Sequence, residues 1–194
     1  MTDNDPRTKL EFIEGLVDSL RSAPREPELW ANVADLLLEA GQFEKSVRAY
    51  DMALLLDPRL HRAKIGLTVA LDLCDEDMSH RETPQLRSAV WEVLQVLETL
   101  VRGLREGRRS LFVDVHALRL QKETARRLAK DPNDPDATFL RSAFLAKQGA
   151  FEEAIALLDK LAARGVEYPG AAEFREQLKA MTGASTPRTA RPRK

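Results

Sequence analysis

Apolar residues recur along this chain every three or four positions, with polar residues between them, which is the period of helices buried on one side. The run Leu29 to Leu60 is the clearest case. Trp30, Val33, Leu37 and Ala40 share one helical stripe, and Phe43, Val47, Tyr50, Ala53 and Leu54 share another. Gly41 stands between them where the first helix must end and reverse, a place suited to a left-handed backbone. Pro58, after Asp57, stops the second. The same periodicity predicts a helix over Arg7 to Arg21 with Phe12, Leu16 and Leu20 inward, and another from Arg59 to Cys74. The polar stretch 75–83 reads as a loop ending at Pro84. A long helix then runs from Pro84 to Glu106, its Leu86, Val90, Val93, Leu97, Leu100 and Leu104 spaced 4-3-4-3-4, until Gly107 breaks it. A second long helix is expected from Arg109 to Lys130, with Leu111, Val115, Leu118, Ala125 and Leu128 on one side. A final helix from Gly170 to Met181 carries Ala171, Phe174 and Leu178. The fold class is all-α, with about nine helices.

Trp30, Val33, Ala34, Leu37, Gly41, Tyr50, Ala53 and Pro58 also fall at the offsets of a 34-residue helix–turn–helix repeat. On these residues the segment resembles a tetratricopeptide repeat, with Ser46 in place of the alanine usual at the second small position. A weaker copy lies 108 positions on, where 147–154 (KQGAFEEA) matches 39–46 (EAGQFEKS) and Thr138 replaces Trp30. Asp57-Pro58 and Asp131-Pro132 each close a helix, and Pro24 lies 34 positions before Pro58, so the first helix reads as the second half of a truncated repeat. Between Pro58 and Pro132 the 34-residue period fails, and three long helices stand where four shorter ones belong.

The resemblance implies a short right-handed α-solenoid of antiparallel hairpins over 1–182, stacked as one unit. Its clearest repeat is 27–60, a degenerate one is 135–166, and the helices of 84–130 are irregular. It further implies a non-catalytic protein–protein interaction module, an adaptor, scaffold or assembly factor, that holds a peptide or helix in its concave groove. Carried over position by position, that groove has Glu28, Ala31, Asn32, Asp35, Leu38 and Glu39 from one helix, and Arg62, Ile65, Gly66, Val69 and Leu73 from the next. Some members clamp a terminal carboxylate with Lys, Asn and Arg at such positions. Here only Asn32 fits, and Glu28, Asp35 and Glu39 would repel it. An acidic wall over an apolar floor suits a basic or helical protein segment.

Composition narrows the function classes. The 194 residues carry 30 Lys+Arg and 31 Asp+Glu, a net charge of −1, which argues against a nucleic-acid coat. Four cations (Arg188, Arg191, Arg193 and Lys194) lie in the small, proline-containing tail 183–194, which is expected to be disordered; without them the chain stands at −5. The acids of the opening MTDNDPRTKLEF and the want of a long apolar run suggest a cytoplasmic protein without a membrane span. No Gly-rich phosphate loop, nucleophile elbow or His-Glu-x-x-His pattern is present, so no cofactor is expected, and His61 and His116 read as structural or surface residues. Cys74, Asp75, Glu76, Asp77 and His80 hold metal-ligand types, the basis of an alternative reading as an enzyme or metal protein, but the bland account is a buried thiol beside a solvated loop.

Two residues stand out. Gly66, mid-helix, costs about 1 kcal/mol against alanine, which close approach of a neighbouring helix would offset. Trp91 projects off the stripe of its helix, so it is either covered by the 75–83 loop or available to a partner. The 86–104 seam supports an alternative of its own, a homodimerising structural protein.

Overall fold

The computed structural model describes residues 6–74, 78, 81–108 and 110–184; for 183 and 184 it describes the helical backbone only. Among these residues there are nine α-helices and no strand: α1 Pro6–Ser22, α2 Pro27–Glu39, α3 Phe43–Leu56, α4 His61–Leu73, α5 Leu86–Arg105, α6 Val115–Lys130, α7 Pro135–Lys147, α8 Phe151–Ala163 and α9 Ala171–Ala184. The chain divides into two compact units, 1–118 and 119–194, with the division inside α6.

Glycine writes the helix ends. Gly41, Gly107, Gly149 and Gly165 all have positive φ, between 68° and 82°. At Gly41 the glycine N–H donates to the Leu38 carbonyl, and the Gln42 N–H reaches back to that of Leu37. Gly149 repeats the arrangement, with Gly149 donating to Ala146 and Ala150 to Leu145. Both close carbonyls that a helix end leaves open, and only glycine enters that backbone region without steric cost. Thus the copies 108 positions apart share backbone geometry as well as residues.

In the first unit α2 pairs with α3, and α4 packs against both. α2 buries Leu29, Trp30, Ala31, Val33, Ala34, Leu36, Leu37 and Leu38, each large side chain worth about 1.5–3 kcal/mol of transfer free energy. The Trp30 indole N–H donates to the Pro24 carbonyl at 2.7 Å, which satisfies its polar edge inside the core. Ser46, where the repeat usually has a small apolar residue, is also fully buried and donates to the Ala34 carbonyl at 2.8 Å. A hydroxyl fits there because the carbonyl of the facing helix is in reach.

α5 does not form a hairpin with α4; it packs on α1 and α3. Its Val93, Leu97 and Leu100 are buried there, with Leu86, Val90 and Leu104 packed against the same core. Most of the seam is thus taken up by packing within the chain.

The structure corrects three expectations and bears on the two readings of Trp91. Phe12 is not inward: α1 buries Ile13, Leu16, Val17 and Leu20, and Phe12 lies off that stripe with 48% of its surface exposed. Leu111 belongs to no helix, because α6 begins only at Val115; it packs over Gly103 instead, where a β-carbon would lie 2.9 Å away. α9 runs on to Ala184, two residues into the stretch expected to be the tail. Trp91 is 65% exposed, so what is described of the 75–83 loop does not cover it. Arg81 of that stretch instead binds the Asp51 carboxylate of α3 through two guanidinium nitrogens.

In the second unit α7 pairs with α8, and α9 packs on α8 around Leu145, Ala154, Leu158, Leu161 and Leu178. The Phe139 ring stacks on Tyr168 at 4.5 Å and meets the edge of Phe174 at 5.9 Å. Thr138, at the Trp30 position of the copy, is buried and donates to its own helix at the Asp134 carbonyl, 2.7 Å away. Asp134 caps α7, accepting from the Ala137 N–H at 3.0 Å.

Candidate functional site

Burial on nearly every side leaves α2 one way out. Beyond Pro27 at its first turn, its exposed or half-exposed positions are Glu28, Asn32, Asp35 and Glu39, spaced 4-3-4 and so aligned in one stripe. α4 borders this stripe with exposed Arg62 and Ile65 and half-buried Val69, and Ile65 is 68% exposed. The residues carried over from the repeat pattern are thus brought to one face, save Ala31, Leu38 and Leu73, which are buried.

The charges on this face are engaged with one another. Arg62 binds the Asp35 carboxylate and lies 3.7 Å from Glu28. The buried Tyr50 hydroxyl of α3 donates to the other oxygen of Asp35. Burial, and then the hydrogen bond to Asp35, push the Tyr50 pKa well above its ordinary value, so the phenol stays protonated and donating. Asp35 therefore joins three helices and is as much a structural anchor as a surface charge.

Glu39 is engaged at the other end of the stripe. Lys9 of α1 binds its carboxylate while the Lys9 ammonium sits 4.5 Å from the centre of the Phe112 ring. The Glu39 carbonyl accepts the Val113 N–H at 2.7 Å, so the chain after α5 closes the end of α2. Of the acids in the stripe, Glu28 keeps the loosest partner.

On the α1 side the stripe borders a hollow whose lining includes Glu11, Phe12, Gly15, Glu26, Glu28 and Asn32. Sequence reasoning missed the α1 side of this face, having turned Phe12 inward. The signal available was Gly15, a mid-helix glycine with no turn to explain it.

The remaining candidates are separate from this face. Gly66 is explained by the core, since Tyr50 passes directly over it. Cys74 is buried. The proposed metal ligands Asp75, Glu76, Asp77 and His80 lie outside the described residues, among which no group of His, Cys, Asp and Glu could hold a metal ion. His61 and His116 are exposed. Of the basic tail, 185–194 also lies outside the described residues. Among the described residues no helix is long and apolar enough to cross a membrane. No family model, curated protein or solved structure matches this chain.

Proposed function

We propose that the chain is a non-catalytic protein-interaction module of the tetratricopeptide-repeat type, a cytoplasmic adaptor or assembly factor that receives a protein segment on the α2–α4 face. The single observation that carries this reading is the stripe Glu28, Asn32, Asp35 and Glu39 on an otherwise buried helix, flanked by the exposed Ile65. A stripe of polar residues beside an unpaired aliphatic side chain has the anatomy of an interface margin. The pairing of α2 with α3, the seating of α4 against both, and the shared helix ends at Gly41 and Gly149 support the repeat architecture. The right-handed solenoid remains part of this proposal, and the hairpin of α7 and α8 is its second, degenerate repeat.

The test begins with affinity capture and ends with calorimetry on the recovered partner, produced separately. Asn32→Arg is the informative variant, because Asn32 lies mid-stripe and its replacement leaves the Asp35 network intact. Loss of binding in Asn32→Arg, with binding retained in Trp91→Ala, supports the reading. Loss in Trp91→Ala alone moves the interface to the exposed indole of α5 and overturns it.

A further inference from the structure

Three glycines interrupt helices in the first unit, and two have structural reasons to do so. A β-carbon at Gly66 would overlap the Tyr50 ring, and one at Gly103 would lie 2.9 Å from Leu111. Gly15 is different. No described atom comes within 4 Å of where its β-carbon would stand, and the residue is exposed in the middle of α1. Alanine there would favour the helix by about 1 kcal/mol, and nothing in the fold forbids it.

The space above Gly15 is the hollow between α1 and α2. Its floor is apolar, made by Leu29 and by Phe12, a large aromatic left half exposed. Three carboxylates, Glu11, Glu26 and Glu28, line it, and among the described residues no cation does. Glu26 precedes α2 without capping it through its side chain, and Glu28 has only the 3.7 Å approach of Arg62. A glycine lets a second backbone come close, an aromatic floor accepts an apolar side chain, and three like charges call for a cation.

We propose that this hollow seats a segment of a partner protein in which an apolar residue lies one helical turn from a Lys or Arg. The apolar side chain rests on Phe12 and Leu29, the partner's backbone passes over Gly15, and the cation falls among Glu11, Glu26 and Glu28. The inference rests on the reading of the chain as an interaction module; it moves the principal contact from the α4 side of α2 to the α1 side, and it fixes the chemistry of the occupant.

The test uses a fluorescent 14-residue helical peptide with Leu and Lys alternating at i and i+4 along one face, and its counterpart with Gln for Lys. Fluorescence anisotropy with the full chain is expected to show the Lys peptide bound at least tenfold more tightly, and less so as salt is raised. Gly15→Leu is the decisive variant. It improves the helix, so its melting temperature should equal or exceed that of wild type, while the leucine fills the hollow and weakens the Lys peptide at least tenfold. Glu11→Lys with Glu26→Lys should weaken it as much. Undiminished binding to Gly15→Leu overturns the proposal, and if Ile65→Arg then blocks the peptide, the α2–α4 reading survives without it. Equal binding of both peptides, or of neither, overturns the proposal as well, while leaving the capture experiment to judge the wider reading.

Discussion

The Tyr50 phenol occupies the space in front of Gly66, so that a β-carbon at position 66 would overlap its ring. Glycine in a helix is ordinarily a loss of about 1 kcal/mol against alanine. Here it admits the ring that carries a buried hydroxyl to Asp35. Gly66→Ala should therefore destabilise the fold by about 1–3 kcal/mol, the usual cost of overpacking, despite its better helix propensity. Urea unfolding checks this: the midpoint should fall with the slope unchanged. A midpoint at or above that of wild type would mean that the ring yields freely.

Tyr50→Phe keeps the ring and removes the donor. Asp35 then retains only Arg62, and the loss of a buried hydrogen bond to a charged group should cost about 1.5–3 kcal/mol. A pH dependence accompanies it. Because burial and Asp35 raise the Tyr50 pKa in the folded state, the associated stability is fully present below the unfolded value of about 10 and is lost as pH rises beyond it. Wild-type stability should therefore fall more steeply than that of Tyr50→Phe between neutral pH and alkaline conditions above pH ~10. Parallel curves would mean that the hydroxyl is not sequestered.

The two matched glycines make a paired prediction. Gly41 and Gly149 have φ of 70° and 82°, and an added β-carbon meets only Val113 at 3.6 Å in the first case and no described atom within 4 Å in the second. Steric room is ample, so the cost of alanine is backbone strain alone, about 1–2 kcal/mol at each site. Asn, which tolerates the left-handed region, should lose less in both. Denaturation of the four single variants measures this, and a neutral Gly149→Ala would show that the second hairpin end opens without penalty.

Asp134 supplies a prediction at acid pH. The Ala137 N–H, and then the Arg127 guanidinium, hold its carboxyl below the usual carboxylate range. The sign follows: its contribution is whole above the unfolded value of about 3.9 and disappears as pH falls through the lower folded value. Protection of the Ala137 amide, the intrinsic exchange rate at a given pH over the observed one, should fall across that acid window. Asp134→Asn, still able to cap α7, should flatten the response while leaving exchange slow at pH 7. An unaltered acid profile in the Asn variant would assign the effect to another group.

How much of this was legible beforehand depends on whether a residue's partner lies on its own helix. The hairpin ends at Gly41 and Asp57-Pro58 were readable, because turn chemistry is local. Gly66 was read as a close approach, but not as an approach by Tyr50, since that pairing joins α3 to α4. Phe12 was misread because the apolar run Phe12, Ile13, Leu16, Val17 and Leu20 is wider than the face that α1 buries, and packing against α5 and α2 chose the side. The start of α6 was placed six residues early, since Leu111 continues the helical spacing while serving the irregular segment that covers Gly103. The stripe on α2 was foreseen as acids; their mutual engagement through Arg62 and Lys9 arises only in three dimensions.

That engagement yields the last prediction. Arg62 is shared by Glu28 and Asp35, all three side chains being substantially exposed, so removing it should cost the fold within about 1 kcal/mol. Its removal also unmasks charge. In water, a cation about 6 Å from a freed carboxylate gains on the order of threefold in affinity by Coulomb attraction, and more at low salt. Arg62→Gln should accordingly tighten the Lys-bearing peptide severalfold while leaving its Gln counterpart unchanged. Glu28 lies on both the stripe and the hollow, so this gain is expected whichever side of α2 makes the principal contact. Unchanged affinity for the Lys peptide would take the whole α2 face out of recognition and leave the exposed Trp91 as the surface to test next.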